Sequence, residues 1–166
     1  MDSSLFERLL SMPGIHDRTK EKIMFEQITQ YDTKYSIMKE TGLGFSDFNR
    51  TRLNDNYFRK VSTYADFVVV KCNDTVSGYC AYYANDFQTR LAYITLFAIK
   101  KEMRGRGLGN LLMRYVLKCA KEKGMRRIRL EAHKDNISAI KFYFKNGFKP
   151  IDESISAFYM EKDLGI

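Results

Sequence analysis

The sequence predicts a mixed α/β domain built on one sheet, and three observations carry that prediction. Asp66 to Lys71 is a β-branched run, and two more strand-like runs follow it, Val76 to Tyr83 and Leu91 to Ile99, each after a turn-forming pair. Beyond Ile99 the apolar spacing switches between helical and alternating, giving helix, strand, helix and closing strands. With 166 residues the chain is long enough for one domain with a sizeable core.

Taken in order, Leu5, Phe6, Leu9 and Leu10 make a short amphipathic helix that Pro13-Gly14 ends, an N-terminal extension over residues 1–20. Ile23 to Thr29 reads as a first strand, with Ile23 and Phe25 on one side and Met24 on the other. Asp32-Thr33 can cap a helix running to Gly42, and Ser46-Asp47 another through about Val61. The glycine-rich stretch between them, Thr41 to Phe45, serves either as a plain connection or as a wall of an acceptor pocket. Turns are expected at Asn73-Asp74 and at Asn85-Asp86.

After the strand Leu91–Ile99, the residues Leu111, Leu112, Tyr115, Val116, Cys119 and Ala120 form the buried stripe of a helix closed by Gly124. Met125 to Ala132 alternates: Ile128, Leu130 and Ala132 face one way, Arg127, Arg129 and Glu131 the other. A helix with Ala139, Ile140, Tyr143 and Phe144 inward follows, ended by Asn146-Gly147. Closing strands are expected from Phe148 and from Ala157 to Lys162.

Composition narrows the class. Hydrophobic residues are 45% of the chain and aromatics 14%, which places it among globular domains. No apolar run reaches the roughly eighteen residues of a membrane span. The opening residues are acidic where a secretory signal would be basic, so the expected location is cytoplasmic, with no membrane partner. Cys72, Cys80 and Cys119 lack metal-ligand spacing and read as reduced, mostly buried thiols; no metal is expected. The net charge of +8 suits an anionic partner. No nucleic-acid motif accompanies the charge, so nucleic-acid binding ranks last.

The charge concentrates where the glycines do. Between Lys100 and Asn110 three glycines alternate with Arg106 and Leu108, just ahead of a helix N-terminus. Backbone N–H groups freed by glycine, together with the positive end of the helix dipole, form a seat for a pyrophosphate. A Walker loop needs Gly-Lys followed by Ser or Thr, and no glycine here precedes a lysine. A dinucleotide fingerprint begins at Gly105-x-Gly107, with Glu131 at a suitable distance for a ribose, but its last glycine position is Asn110. The third reading is Arg104-Gly105-Arg106-Gly107-Leu108-Gly109, an Arg/Gln-x-x-Gly-x-Gly/Ala pattern between strand and helix.

A second block lies downstream, Asp135-Asn136-x-x-Ala139-Ile140-x-Phe142-Tyr143-x-x-x-Gly147-Phe148. With both blocks in this order, the segment from Tyr93 to Phe148, about a third of the chain, resembles the acetyl-CoA-binding half of the GNAT superfamily of N-acetyltransferases. The resemblance implies a single domain over residues 1–166, with a central mixed, mostly antiparallel sheet flanked by helices and the short N-terminal helix as an addition. It implies that acetyl-CoA is the acetyl donor. The main chain of Phe97, Ala98 and Ile99 would hold the acetyl and pantetheine portions. Arg104, Gly105, Arg106, Gly107, Leu108, Gly109 and Asn110 would hold the pyrophosphate, and Asn136 the pantetheine arm. Tyr143 matches the tyrosine that protonates the departing thiolate, although an aromatic on the inward face of a helix also reads as core.

The resemblance leaves the base open. Many members carry Glu where this chain has Thr95. Glu131, five residues before Asn136 and twelve before Tyr143, has the spacing of the branch that acetylates protein N-termini. Its alternation lets it line the cleft or pair with Arg129. His133, Asp86 and a water chain are the other candidates. The expected reaction is direct attack of a primary amine in a ternary complex. The acceptor is a small amine, an amino sugar, a polyamine or a peptide N-terminus, and the protein is a monomer or homodimer. The alternative is a non-catalytic acyl-CoA-binding module of the same fold.

Overall fold

The computed structural model describes residues 21–41 and 54–165. The expected N-terminal helix, the Thr41 to Phe45 loop and the Ser46-Asp47 cap lie wholly or mostly outside these residues. The elements are β1 (Ile23–Gln27), α1 (Tyr31–Thr41), α2 (Asp55–Tyr64), β2 (Asp66–Cys72), β3 (Thr75–Asp86), β4 (Leu91–Ile99), a 3₁₀ turn (Lys101–Met103), α3 (Leu108–Glu122), β5 (Arg127–His133), α4 (Ile137–Lys145), β6 (Lys149–Glu153) and β7 (Ala157–Asp163). The strands form one sheet in the order β1-β2-β3-β4-β5-β7-β6, antiparallel throughout except for the parallel β4–β5 pair. No described helix is long and apolar enough to cross a membrane.

Helices cover both faces, which is why β2 is apolar without alternation. Val68 and Val70 join Cys80, Tyr82, Ile94, Leu112, Val116, Ile128 and Leu130 in a core on the α3 side. Phe67 and Val69 join Tyr79, Ala81, Met38, Phe58 and Val61 on the α1–α2 side. Stacked rings mark both faces: Phe25 of β1 on Tyr115 of α3 at 4.5 Å joins strand to helix, and Phe67 of β2 on Tyr79 of β3 at 5.0 Å joins neighbouring strands on the other face.

Several local expectations shift. Asn73 and Asp74 both take positive φ, 50° and 65°, forming the two-residue hairpin turn expected there. Asn85-Asp86 is not a turn: β3 continues through Asp86, with a bulge between Tyr83 and Asp86 absorbing an extra residue, and the chain reverses over 87–90. Asp86 instead holds that reversal by accepting from the Thr89 backbone N–H at 3.0 Å. Helix α1 starts at Tyr31, so Asp32 sits inside its first turn rather than capping it. Helix α2 is capped by Asn54, whose side chain accepts from Tyr57 N, and runs on to Tyr64. The fifth strand begins at Arg127, Met125 being a buried residue of the approach.

Candidate functional site

The site begins with a defect in the ladder. β4 and β5 pair only from Leu91–Arg127 to Ile94–Leu130. Beyond that point β4 stays with β3 as far as Ile99 and β5 stays with β7 as far as His133, so the two central strands part. Thr95 marks the place. Ala81 opposes Leu96 and Tyr82 opposes Ile94, leaving Thr95 as the extra residue of a bulge. The bulge reverses the side-chain phase. Ala92 and Ile94 face α3, and after Thr95 it is Phe97 and Ile99 that do so, while Leu96 and Ala98 turn to the α1–α2 side.

The space so opened is a cavity of about 490 Å³ that runs from the end of β4 to the start of α3. Its walls include Phe97, Ala98, Ile99, Arg104, Gly105 and Gly107 on one side. Because the Ala98 side chain packs with the opposite core, it offers the cavity its backbone. At the α3 end, Gly105 and Gly107 have φ of 71° and 80°. A Cβ at either would meet nothing within 4 Å, so conformation rather than crowding requires glycine there, and the loop faces open space. Leu108 starts the helix and Leu111 N is the first amide bonded back, to Gly107 O at 3.2 Å. The amides of Leu108, Gly109 and Asn110 therefore have no carbonyl within the helix to bond, at the positive end of a fifteen-residue helix.

Side chains brace this frame. Arg104 Nε donates to Ile99 O at 3.0 Å, tying the loop to the strand end. Arg106 does not line the cavity: its guanidinium forms an ion pair with Glu21 and lies 3.1 Å from Met103 Sδ. Every other residue of the expected cofactor set lines it. Asn110 lines it too, while its Oδ1 accepts from Asn146 Nδ2 at 3.1 Å. Asn136 caps α4, its Oδ1 accepting from Ala139 N at 3.2 Å, and also lines the cavity.

Helix α4 is turned differently from the sequence expectation. Phe144 is 51% exposed, and Ala139, Phe142 and Tyr143 are the residues that face the cavity. The turn follows from the neighbours: Phe142 lies 5.3 Å from Phe97, centroid to centroid, and a Cβ on Gly109 would sit 3.3 Å from the Phe142 ring. Sequence spacing did not single out Phe142, Ser138 or Ala139 as site residues, since their places depend on how α4 packs on α3, nor Met103, which lines the cavity from the 3₁₀ turn after β4. Tyr143 packs edge-on to Phe142 and Phe148, and desolvation pushes its phenol pKa well up, with nearby Cys80 adding to the rise. Cys72, Cys80 and Cys119 are free and buried, and burial raises the pKa of the Cys80 and Cys119 thiols.

Glu131 is not in this cavity. Its strand alternates, with Ile128, Leu130 and Ala132 in the α3-side core and Glu131 half-buried on the other face. There it lies near the phenol of Tyr57 from α2, whose pKa is raised chiefly by burial and also by Tyr83 and Glu131. Arg129 Nε pairs with Glu161 Oε2 at 2.5 Å. His133 Nδ1 lies 3.4 Å from the Asp135 amide, at the far end of β5. The gap thus has two sides: a glycine-lined cavity holding Tyr143, and an opposite face with Tyr57, Thr95 and Glu131.

Comparison with known proteins adds a family. A sequence model of the acetyltransferase (GNAT) family matches residues 31–148. A Bacillus subtilis protein named for alanine N-acetylation of ribosomal protein bS18 is 30% identical over 137 residues, covering 80% of this chain and 83% of that one. Among solved structures, an IAA acetyltransferase from Bacillus cereus superposes with a TM-score of 0.70 at 17% identity, over 86% of this chain and 99% of that one. PaiA N-acetyltransferase from Thermoplasma acidophilum, in complex with coenzyme A, superposes at 0.65 with 22% identity over 86% and 99%.

Proposed function

Because the chain belongs to the acetyltransferase (GNAT) family, we propose that it moves an acetyl group from acetyl-CoA to a primary amine, by direct attack of the amine in a ternary complex. The observation that carries this reading is the parting of β4 from β5 directly beside a glycine loop and an open helix N-terminus. One continuous cavity of about 490 Å³ joins them, within the usual size of a cofactor site.

The residues present fit the donor. The amides of Leu108, Gly109 and Asn110, with the Gly105–Gly107 loop, would hold the pyrophosphate. Asn136 and the main chain of Phe97, Ala98 and Ile99 would hold the pantetheine arm and acetyl group, and Arg104 would add charge at the mouth. When bound, acetyl-CoA supplies a thioester carbonyl and a thiolate leaving group.

Tyr143 keeps its proton at Oη because burial disfavours the phenolate, so it is ready to donate where negative charge develops. Glu131 accepts the amine proton from the opposite face of the gap, either directly or through water. A covalent acetyl-cysteine route is disfavoured, since burial holds the Cys80 and Cys119 thiols protonated. The sequence relationship to the B. subtilis alanine N-acetyltransferase and the Glu131 spacing make a peptide N-terminus the first acceptor to test.

The test is thiol release from acetyl-CoA with panels of amines, amino sugars and N-terminal peptides. Turnover with one class, a large loss in Tyr143→Phe and a changed pH profile in Glu131→Gln are expected. Full activity in either variant removes that residue from its role. Binding of acetyl-CoA without turnover on any amine points to a non-catalytic acyl-CoA-binding module. Failure of acetyl-CoA to bind or to protect against thermal unfolding rejects the reading altogether.

A further inference from the structure

Thr95 belongs to neither ladder. It is the unpaired residue of the bulge against β3, and it lies one position past the last β4–β5 pair. Its carbonyl and hydroxyl are met from outside the sheet. The Tyr57 O–H reaches the Thr95 carbonyl at 3.1 Å, and the Tyr57 oxygen is in close contact with Thr95 Oγ1. A phenol has one proton, so with that proton on the carbonyl its oxygen accepts from the threonine hydroxyl. Both groups of the bulge residue are satisfied by a single side chain of α2.

We infer that Tyr57 is a positioning residue for acetyl transfer: by pinning Thr95 it fixes the bulge, and through the bulge the register of Phe97, Ala98 and Ile99 on the cavity wall. The phase of β4 makes the link direct. A strand that lost its bulge would present Leu96 and Ala98 to the α3 side in place of Phe97 and Ile99, since successive side chains alternate. On the same face of the sheet, Glu131 and Tyr83 are near enough to act electrostatically on the Tyr57 phenol. The functional part of this inference rests on the acetyl-transfer reading; the structural part does not.

The experiment uses the full chain with Tyr57→Phe, which removes only the hydroxyl, Thr95→Val, and the double variant. Amide hydrogen exchange is read residue by residue without substrate, and kcat, KM and acetyl-CoA affinity are read separately. In Tyr57→Phe, exchange at 96–99 should rise by about tenfold or more while β2, α3 and β7 stay at wild-type rates. The kcat should fall by about tenfold or more with the acceptor KM changed by less than about threefold. Thr95→Val keeps the carbonyl and should lose less, and the double variant should be no worse than Tyr57→Phe alone. Unchanged exchange at 96–99, a uniform rise across the sheet, or additive losses in the double variant overturns the pin. If wild-type protein binds acetyl-CoA but turns over no amine, the functional reading fails while the exchange data still decide the pin.

Discussion

Asn146 at the end of α4 donates to Asn110 Oδ1 in the first turn of α3, across 3.1 Å, and the same amide donates to Phe142 O at 2.9 Å. Two walls of the cavity are thereby joined behind the residues that face it. Asn146→Ala removes both bonds and should cost about 1–2 kcal/mol in denaturant unfolding. Acetyl-CoA affinity should weaken several-fold, measured by calorimetry. An unchanged affinity would mean that α4 is held against α3 by the Phe97–Phe142–Gly109 contact alone.

Gly78 on β3 is paired with Ile99 at the end of β4. A Cβ there would fall 2.4 Å from Ile99 Cδ1 and 2.6 Å from Ala98 O. The Ile99 side chain can move, but the carbonyl belongs to the backbone that lines the cavity. Gly78→Ala should destabilise by about 1–3 kcal/mol, the cost of forcing bulk into a close-packed contact. It should also weaken acetyl-CoA binding more than an equally destabilising change in β7, by thermal-shift titration.

Tyr143 gives a pH signature. Burial raises its pKa, so the acidic, donating form persists well above the pH at which an exposed phenol ionises. The kcat profile should therefore show no fall between pH 8 and about 10 that Tyr143→Phe abolishes. Tyr143→Phe should lower kcat by about a hundredfold at every pH in that range. A wild-type fall centred near pH 10 that the substitution removes would contradict the buried donor.

Asp55 gives a second signature, in stability. Tyr35 donates to its carboxylate and Arg59 and Lys39 pair with it, holding its pKa down to about 2 from 3.8. A carboxyl depressed in the folded state contributes stability that is complete above its unfolded pKa and is lost as pH falls towards the folded value. The α1–α2 pairing should hold at pH 5 and weaken between about pH 4 and pH 2. Asp55→Asn should flatten that part of the acid-denaturation curve, followed by far-UV circular dichroism.

The sequence made β2, β4 and the glycine loop legible because each signal is local. A β-branched run, a turn dipeptide and a glycine at positive φ act within a few residues of themselves. β3 ran past its expected end because a bulge after Tyr83 let Asp86 pair with Leu91, and bulges leave little trace in composition. Phe142 and Phe144 exchanged roles because the exposed side of α4 is decided by Phe97 and Gly109, which are distant in sequence. Tyr57 carried no signal, since its bond to Thr95 spans 38 residues and depends on how α2 lies on the sheet. The second helix is expected to end at about Val61, whereas α2 starts at Asp55 behind an Asn54 cap and runs on to Tyr64.

The four residue pairs between β4 and β5 are the only strand pairing that holds β1–β4 to β5–β7 among the described residues. The sheet is in effect two panels joined along a short hinge, with α3 and α4 laid over the seam. Each panel has its own full set of antiparallel ladders, so partial opening along the hinge exposes few backbone groups that were paired. The buried α3-side core spans both panels and holds them together where the backbone does not, and a molecule wedged in the gap would bind both panels at once, stiffening the joint that the backbone leaves weakest.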